Sequence, residues 1–505
     1  MDREPLEFMP KNRHCVMEGS EWISIPTAKV QPRKLLYLAA GIAFLQAFQF
    51  GWSTTQLNST TYHDDKQCRA DPIAPGTCVL FPGHSKLQWI LMVNAWILGG
   101  MIGSVGSGYP ADTYGRRKTL LWNAGIMMLG AALQAFAIDI WMFIIGRLIA
   151  GIASGAGTAV LGSYLSEIAP PHLRGTLASC IQCAIVSGIL LVSVTMYFND
   201  SQFGARLNAG FPLVLGSLQL IMGPMWMVQS PAWLLGKSKY YEAHQALAKL
   251  FGTEHVATAM SWVASRSDSS DDETERVDVS MGSHQVVSEF AQTLKSPSEQ
   301  DTASNTFIVY RRQLCIALAC SAAQQLSGIN AVFYYSSTIF QRAGLRDARV
   351  GNVIINTVNL VPTFFTGYLL TKVKKRPLML AGTWGMFLAA IGLTVVLYCN
   401  ISVLVIIFAA VYVTAFACSL GPLVWGITAE LFPTHLRAST QSACLVLNWF
   451  CNLAVGITYP YIASALGDFG FLPFVATLAI AGTFFGFCLP ETSGKTIDEI
   501  QREFE

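Results

Sequence analysis

Twelve apolar runs follow one another along this chain, each near the roughly 20 residues that a helix needs to cross a bilayer. A membrane barrel would be built from shorter segments of alternating polarity. Only 13% of the residues are charged, which is far below the share in a soluble domain. The sequence therefore predicts an all-α membrane protein with twelve transmembrane helices, numbered here as spans one to twelve: 35–57, 87–111, 119–138, 141–165, 176–198, 210–229, 312–340, 350–371, 378–399, 402–429, 438–465 and 470–489.

Lysine and arginine are unevenly distributed among the segments that join the spans. Because positively charged segments stay on the cytoplasmic side, the distribution predicts a multi-pass protein with both termini in the cytoplasm. Arg342, Arg346 and Arg349 run against this bias. The basic clusters precede span one, follow spans two and eight and lie between spans six and seven: Lys29, Arg33, Lys34, Arg116, Arg117, Lys118, Lys237, Lys239, Arg311, Arg312, Lys372, Lys374, Lys375 and Arg376.

The opposite, extracellular side carries two N-glycosylation sequons, at Asn58 and Asn199. Cys68 and Cys78 share the polar loop 58–86, and a disulfide between them is expected if that loop is extracellular. The other cysteines lie mostly inside apolar runs. Cys180 and Cys183 form a CxxC within span five, where we interpret them as small hydrophobic residues rather than a redox or metal site.

An internal repeat divides the chain in two. Glu167-Ile-Ala-Pro-Pro-His-Leu-Arg174 recurs as Glu430-Leu-Phe-Pro-Thr-His-Leu-Arg437. Two parallel six-helix halves that rock about a site at mid-membrane describe an alternating-access transporter. We expect a cytoplasmic tail, a first half, a linker with short intracellular helices around Tyr240–Phe251 and an acidic run at 265–275, a second half, and a cytoplasmic end: 1–34, 35–229, 230–311, 312–489 and 490–505.

A polar stretch, 324–338, interrupts span seven at the depth where polar groups are costly unless they face a cavity or each other. In an unbroken helix Gln325 and Asn330 would point about 140° apart. A break at Gly328, where φ is unrestricted, would let Gln324, Gln325 and Asn330 converge on one ligand. Uncharged amides both donate and accept, which suits a neutral polyhydroxylated solute. The alternative is that these residues only join helices to one another.

Other functional classes find little support. No nucleophile motif, metal-ligand cluster or phosphate-binding glycine loop stands out, so the sequence predicts no enzyme activity, no cofactor and no metal. The net charge of +2 gives no attraction to nucleic acid. The expected partners are a small solute and membrane lipid, with the monomer as the functional unit.

From Leu35 to Glu499 the chain resembles the sugar porter family of the major facilitator superfamily, and most closely its facilitative hexose transporters. The resemblance is carried by motifs that occur in the family's order: Asp112-Thr-Tyr-Gly-Arg-Arg-Lys118, Gly146-Arg147, the two Glu/Arg repeats, Gln324-Gln325-Leu-Ser-Gly328-Ile-Asn330, Gly421-Pro422-Leu-Val-Trp425, Asn448-Trp449 and Pro490-Glu491-Thr-Ser-Gly494-Lys495.

The resemblance implies three groups of site residues. Tyr334 and Tyr335 would form an outer gate. A sugar site would be lined by Gln182, Gln324, Gln325, Asn330, Asn356, Trp425, Glu430 and Asn448, where Gln182 is as readily explained by a bond between helices. A cytoplasmic salt-bridge network that closes the inner side would include Arg116, Arg117, Glu167, Arg174, Arg376, Glu430, Arg437 and Glu491.

Several positions depart from the family's pattern, including 321–323 before the glutamine pair and 371–376 after span eight, and three others bear on the mechanism. Gln229 and Ala232 replace a Glu and an Arg after span six, and Ser53 stands where proton-coupled members carry an Asp. A hydroxyl does not titrate in the accessible range, so Arg147 would lack a carboxylate partner. Trp425, which fructose-preferring members tend to lack, favours D-glucose. We expect a hexose uniporter of the plasma membrane. A fructose, polyol or inositol carrier, a proton-coupled symporter and a non-transporting sugar sensor remain the alternatives.

Overall fold

The computed structural model describes residues 15–18, 21–24, 30–63, 67–74, 77–198, 201–264, 310–495 and 497–504. Within these ranges ten helices are long and apolar enough to cross a membrane, and Arg116–Ala135 and Leu472–Cys488 complete twelve spans. The all-α membrane architecture is confirmed. The spans are Lys34–Thr55, Lys86–Gly106, Arg116–Ala135, Ile140–Ile168, Pro171–Thr195, Gln202–Trp226, Arg311–Arg342, Ala348–Lys372, Lys375–Tyr398, Ser402–Glu430, Thr434–Leu466 and Leu472–Cys488.

Two of these spans are broken in the middle. The first segment of span seven ends at Leu326 and the second begins at Ile329. Gly328 lies between them with φ +86°, and a Cβ there would lie 2.5 Å from the ring of Phe474. The left-handed backbone and the close ring both require glycine. Span ten breaks similarly at Ser419, between Ser402–Cys418 and Leu420–Glu430.

The spans pack closely where small residues face each other. A Cβ on Gly155 of span four would lie 1.9 Å from the carbonyl oxygen of Gly100 in span two, so only glycine permits this approach. Span two also packs on span eleven, and span five on span eight. These two contacts join the first six spans to the last six.

Short helices lie outside the spans. Gly108–Tyr114 follows span two, and Pro231–Gly236, Tyr240–Phe251 and Val256–Ala264 follow span six. Tyr240–Phe251 is confirmed as an amphipathic helix, since its apolar face of Ala243, Ala246, Leu247 and Leu250 is buried. Ile497–Arg502 follows span twelve. A two-stranded antiparallel sheet, Cys15–Glu18 with Glu21–Ser24, was not predicted. The acidic run 265–275 lies outside the described residues.

The two ends of the helical bundle differ in chemistry. We call the end where span one begins and span twelve ends the basic side, because Arg116, Arg376 and their neighbours lie there. The other end is called the disulfide side. It carries the loop between spans one and two, in which Cys68 and Cys78 form a disulfide.

Candidate functional site

Four amide side chains from spans seven and eleven form one hydrogen-bonded group, here called the amide cluster: Gln324, Gln325, Asn330 and Asn448. Gln325 Nε2 donates to Asn448 Oδ1 at 2.9 Å, and Asn448 Nδ2 donates to Gln324 Oε1 at 2.7 Å. Asn330 Nδ2 donates to Gln325 Oε1. Asn330 is half-buried, and the other three are buried. The cluster is an uncharged surface of donors and acceptors inside the bundle.

The break in span seven positions this cluster. Gln324 Nε2 donates to the carbonyl oxygens of Leu420 and Gly421, at 2.8 and 3.0 Å, just beyond the break in span ten. Ser327 Oγ donates to the carbonyl oxygen of Gln324 at 2.7 Å, and Tyr412 OH donates to that of Ser327. Backbone carbonyls released by the two breaks are therefore satisfied within the protein, as apolar surroundings require. Gln324, Gln325 and Asn330 are thus joined by hydrogen bonds to one another and to Asn448, and their convergence on one ligand stays a prediction.

Three other predicted site residues make no described hydrogen bond to the amide cluster. Asn356 in span eight is buried and donates from Nδ2 to Ser193 Oγ in span five at 2.8 Å. Its Oδ1 is buried without a hydrogen-bond partner among the described residues. Gln182 is half-buried, and no hydrogen bond joins it to a described residue. Trp425 is half-buried on the second segment of span ten, where its carbonyl oxygen accepts from Gln441 Nε2 at 3.4 Å.

Glu430, a predicted sugar-binding residue, lies away from the amide cluster in its contacts. It lies at the basic end of span ten and forms an ion pair with Lys375 at the start of span nine. A carboxylate held by a lysine at the end of a helix is not free to join the amide cluster. In this conformation Glu430 belongs to the ion network of the basic side, its Oε2 is buried without a hydrogen-bond partner among the described residues, and its sugar-binding role stays a prediction.

The predicted gate residues are buried on the disulfide side. Tyr334 OH donates to Asn452 Oδ1 at 3.1 Å, and Tyr335 OH donates to the carbonyl oxygen of Gly456 at 3.0 Å. Both partners belong to span eleven. Tyr334 and Tyr335 also line a small cavity with Asn58 and His63 of the first half. The two tyrosines thus lie where the first and last six spans meet.

Asn58 is the main polar link across this junction. It is only 5% exposed, and its Nδ2 donates to Phe333 O at 2.9 Å and to Ser336 Oγ at 2.7 Å. Its Oδ1 accepts from the backbone N–H of Ser337 at 3.1 Å. An N-linked glycan needs this nitrogen exposed and has no room here, so the prediction of glycosylation at Asn58 is wrong for this conformation. The second predicted sequon residue, Asn199, lies outside the described residues.

Further bonds across the same side link the first and last six spans. Asn94 Nδ2 of span two donates to Gly456 O at 3.2 Å. Lys86 Nζ donates to Pro460 O at 3.2 Å. Arg349 donates from Nη1 to Met196 O at 3.4 Å, with its guanidinium 5.1 Å from the Tyr197 ring. These contacts close the disulfide side.

On the basic side the ion pairs of Arg116 and of Lys375 each join residues of one group of spans. Arg116 contacts Glu167 at 3.1 Å and Asp112 at 3.0 Å, all within the first six spans. Glu167 also accepts from Ser230 Oγ, and Gln229 Oε1 accepts from the backbone N–H of Arg117 at 3.0 Å.

The corresponding contacts of the last six spans involve the residues after span eight. Glu491 Oε2 accepts from the backbone N–H of Arg376 at 3.3 Å, and Arg376 Nη2 donates to Gly486 O at 2.6 Å. Arg174 and Arg437 each donate to the carbonyl oxygen five residues before them, Ala169 and Phe432. The repeated Arg thus makes the same local contact in both copies.

A sequence model described as "Sugar (and other) transporter" matches residues 38–504 of this chain. The chain belongs to the sugar transporter family. This is a family of membrane transporters and not of enzymes. The chain is 33% identical over 495 residues to facilitated glucose transporter member 1 of solute carrier family 2 from Gallus gallus, covering 93% of each. It is 31% identical over 497 residues to member 3 from Rattus norvegicus, covering 95% of this chain and 94% of that protein.

Solved structures agree on the fold of this sugar transporter. The xylose transporter XylE from E. coli in an inward open conformation gives a TM-score of 0.73 at 23% identity, covering 93% of this chain and 100% of that chain. The proton:xylose symporter XylE bound to 6-bromo-6-deoxy-D-glucose gives 0.70 at 23% identity, covering 93% and 99%. Both show the major facilitator fold.

Within the sugar transporter, Arg147 of span four is a buried cation whose described contacts are not carboxylates. Its Nη1 donates to the carbonyl oxygen of Ser53 at 2.8 Å, and its Nε and Nη2 donate to those of Met92 and Val93 at 3.4 Å. Its guanidinium lies 5.6 Å from the Trp96 ring. Backbone carbonyl oxygens and an aromatic ring therefore stabilise this buried cation at its described contacts.

Sequence reasoning missed one residue at the centre of the sugar transporter. Trp449 belongs to the Asn448-Trp449 motif, and the sequence suggested no separate function for the tryptophan. Its ring is 4% exposed and packs 5.9 Å from Phe50 and 5.8 Å from Trp96 in the first half. Its Nε1 is buried without a hydrogen-bond partner among the described residues. Its place in the Asn448-Trp449 motif was the available signal.

Proposed function

We propose that this protein is a facilitative uniporter that moves a hexose, with D-glucose preferred, across the plasma membrane by alternating access. The amide cluster carries the proposal. Gln324, Gln325, Asn330 and Asn448 supply paired donors and acceptors without charge, which matches the hydroxyl groups of a neutral sugar. Trp425 would add an apolar face for the ring of the sugar. The relatives named as facilitated glucose transporters support the same substrate.

The contacts on each side support an alternating mechanism. Hydrogen bonds between the first and last six spans close the disulfide side, and on the basic side the ion pairs of Arg116 and Lys375 each stay within one group of spans. We assign the basic side to the cytoplasm, with both termini there, because lysine and arginine concentrate on it. In this orientation the described conformation would be closed to the outside. The transporter would work as a monomer, since one chain supplies the whole pathway.

The surroundings of Arg147 favour uniport over proton coupling. A proton-driven cycle needs a buried group that takes up and releases a proton. Span one, Lys34–Thr55, contains no carboxylate, and Arg147 contacts Ser53 through a carbonyl oxygen. Symport is the second candidate because XylE, a structural neighbour, is described as a proton:xylose symporter. The carrier would then need a titrating group elsewhere.

Uptake into proteoliposomes tests the proposal. The protein is reconstituted with equal D-glucose concentrations on both sides, with the radiolabel only outside, and an inward proton gradient is imposed. We expect exchange of label without net accumulation, while the E. coli xylose symporter with xylose, as the positive control, accumulates its sugar. Sustained accumulation by this protein would establish symport. Competition with unlabelled fructose, inositol and polyols ranks the substrates, and binding without any exchange of label would identify a sensor.

A further inference from the structure

A group of metal-ligating side chains lies in the loop between spans one and two, on the disulfide side. His63 Nδ1 and His84 Nε2 are 2.7 Å apart, and Cys68 Sγ lies 3.9 Å from His63 Nδ1. One ligand atom from each of these three residues lies within 4.8 Å of the other two. Imidazole nitrogen and cysteine sulfur are the ligands that Zn²⁺ prefers in proteins. In the sequence these ligands follow one another within one loop, as His63, Cys68, Cys78 and His84.

The orientation of the two imidazoles suits a metal ion. His84 Nδ1 lies 2.8 Å from the carbonyl oxygen of Phe81. Because a carbonyl oxygen only accepts, Nδ1 carries the proton, and Nε2 presents its lone pair to His63. Metal-binding histidines typically make this second hydrogen bond, which fixes the ring and its tautomer. Both rings also stack on Trp89 in the first turn of span two, at 4.5 and 5.3 Å.

The metal-ligating side chains are largely buried, but an open cavity connects them with solvent. His84 is 5% exposed and Cys68 3%. An open cavity of about 480 Å³ adjoins them and is lined in part by Cys68, Asp71, His84 and Lys86. The cavity gives an ion a route from solvent, and Asp71 is a carboxylate-bearing residue among those that line it. Lys86 opposes a cation electrostatically, but its ammonium group is held by span eleven through Pro460 and Ser464.

We propose that this loop binds one divalent ion of the Zn²⁺ class through His63 Nδ1 and His84 Nε2, and that Cys68 joins as a thiolate once the Cys68–Cys78 disulfide is reduced. A dithiol is the reductant. It transfers two electrons and two protons, the S–S bond breaks, both cysteines become thiols, and the dithiol leaves as its own disulfide. Metal binding then releases the proton of the Cys68 thiol, while the proton on His63 Nδ1 moves through solvent to Nε2 of the same ring.

Metal titration of the purified full-length protein tests this proposal without reference to transport, so its failure is distinct from failure of the proposed function. Co²⁺ serves as the spectroscopic probe and Zn²⁺ as the competitor, before and after treatment with dithiol and its removal without oxygen. We expect one equivalent of Zn²⁺ in each form and tighter binding in the reduced form. Only reduced protein should show the sulfur-to-cobalt absorption band, and Cys68→Ser should abolish it.

Variants locate the site. Loss of a direct ligand in His63→Gln or His84→Gln should weaken binding by more than the about 10- to 100-fold that follows loss of an outer-shell partner. His255→Gln, on the basic side, and the double variant Cys180→Ser/Cys183→Ser are matched controls that should bind as wild type. If the buried His84→Gln fails to fold, the half-buried His63→Gln decides. No stoichiometric Zn²⁺ in either form, or unchanged affinity in His63→Gln, would overturn the proposal. Equal affinity and no sulfur band in the reduced form would overturn the role of Cys68.

Discussion

The disulfide side and the basic side join their spans in different ways. On the disulfide side, hydrogen bonds cross between the first and last six spans, as from Asn58 to Phe333 and Ser336 and from Asn94 to Gly456. On the basic side, Arg116 pairs with Glu167 and Lys375 with Glu430, each within one group of spans. The first side is linked by amide, lysine and arginine side chains that donate mostly to backbone carbonyl oxygens, and the second has pairs of opposite charge.

This difference indicates two separate functions for the contacts. A contact that crosses between the two groups must break when the disulfide side opens, so it sets the populations of the conformations. A contact within one group survives a rigid-body movement and stabilises that group in every conformation. Amides suit the first task because breaking their bonds exposes no charge to the interior. The same reasoning makes each contact testable, by whether its loss alters the population of conformations or only stability.

Loss of Asn58 should have the largest effect on the population. Asn58→Ala removes two donated bonds and one accepted bond and leaves the partners in span seven buried. Each such loss costs about 1 to 3 kcal/mol, and losses at neighbouring groups are not additive. We therefore expect the closed conformation of the disulfide side to lose about 2 to 4 kcal/mol of stability relative to the open one. Spectroscopic distances between labels in the loops before spans four and twelve measure the shift.

A control in the same loop sharpens this test. Thr77→Ala removes a hydroxyl whose bond to Ala74 O is exposed and local, so it should leave the distance distribution unchanged. If Asn58→Ala also left the distribution unchanged while the protein stayed folded, hydrogen bonds of the disulfide side would not set the population.

The amide cluster lies between the two sides. Substitutions in it should change the affinity for sugar rather than the populations of the conformations. Replacing Gln325 or Asn330 by Ala should weaken sugar binding by about 1 to 3 kcal/mol each, the scale of losing a buried hydrogen bond and stranding its partner. Gln313→Ala is the matched control, because this buried amide of the same span pairs with Gln501 on the basic side. Wild-type affinity of both purified variants, measured by calorimetry, would show that the cluster is only structural.

Charge can be restored to the basic side at two of the positions that depart from the family's pattern. Gln229 now accepts from the backbone N–H of Arg117, and Ala232 is half-buried nearby. Gln229→Glu with Ala232→Arg should favour closure of the basic side by about 0 to 1 kcal/mol per added pair. The same distance measurement should show this shift at low salt and a smaller one at high salt. A shift that is insensitive to salt would contradict an electrostatic cause.

The spans were predictable because the membrane leaves the backbone few choices. Span one was expected at 35–57 and lies at Lys34–Thr55, and span twelve was expected at 470–489 and lies at Leu472–Cys488. In hydrocarbon every backbone donor must be satisfied within the segment, so length and apolarity are sufficient. The break at Gly328 was predictable for a related reason, since polar residues beside a glycine favour an interruption only where the interior can satisfy it.

The predictions that the structure did not confirm have a different origin. A sequon at Asn58 is a local pattern, but its burial depends on Ser336, which is 278 positions away. The role of Glu430 likewise depends on Lys375, at a distance of 55 positions. At both residues the local sequence did not reveal a hydrogen-bond or ion-pair partner that is distant along the chain. Contacts between spans distant in sequence were predictable only where a family resemblance supplied them, as for Asn448 with Gln324 and Gln325.

Glu491 offers the smallest and most selective test, because its contacts lie within the last six spans. Burial alone would raise the pKa of this carboxyl, but hydrogen bonds from the N–H groups of Ser493 and Arg376 outweigh it and lower the pKa below its usual range. A carboxylate with a lowered pKa stabilises the fold above the ordinary value of about 4.3 and loses that contribution as the pH falls through the folded pKa.

The thermal midpoint of wild type should therefore exceed that of Glu491→Gln near about pH 7, and the difference should shrink as the pH falls below about 4.3. Glu503→Gln, which breaks the exposed pair with Lys495, is the control and should have a weaker effect. Because the contact does not cross between the two groups of spans, the distance distribution of Glu491→Gln should equal that of wild type. A shifted distribution would mean that a bond within one group can also set the conformation, and the distinction between the two sides would fail.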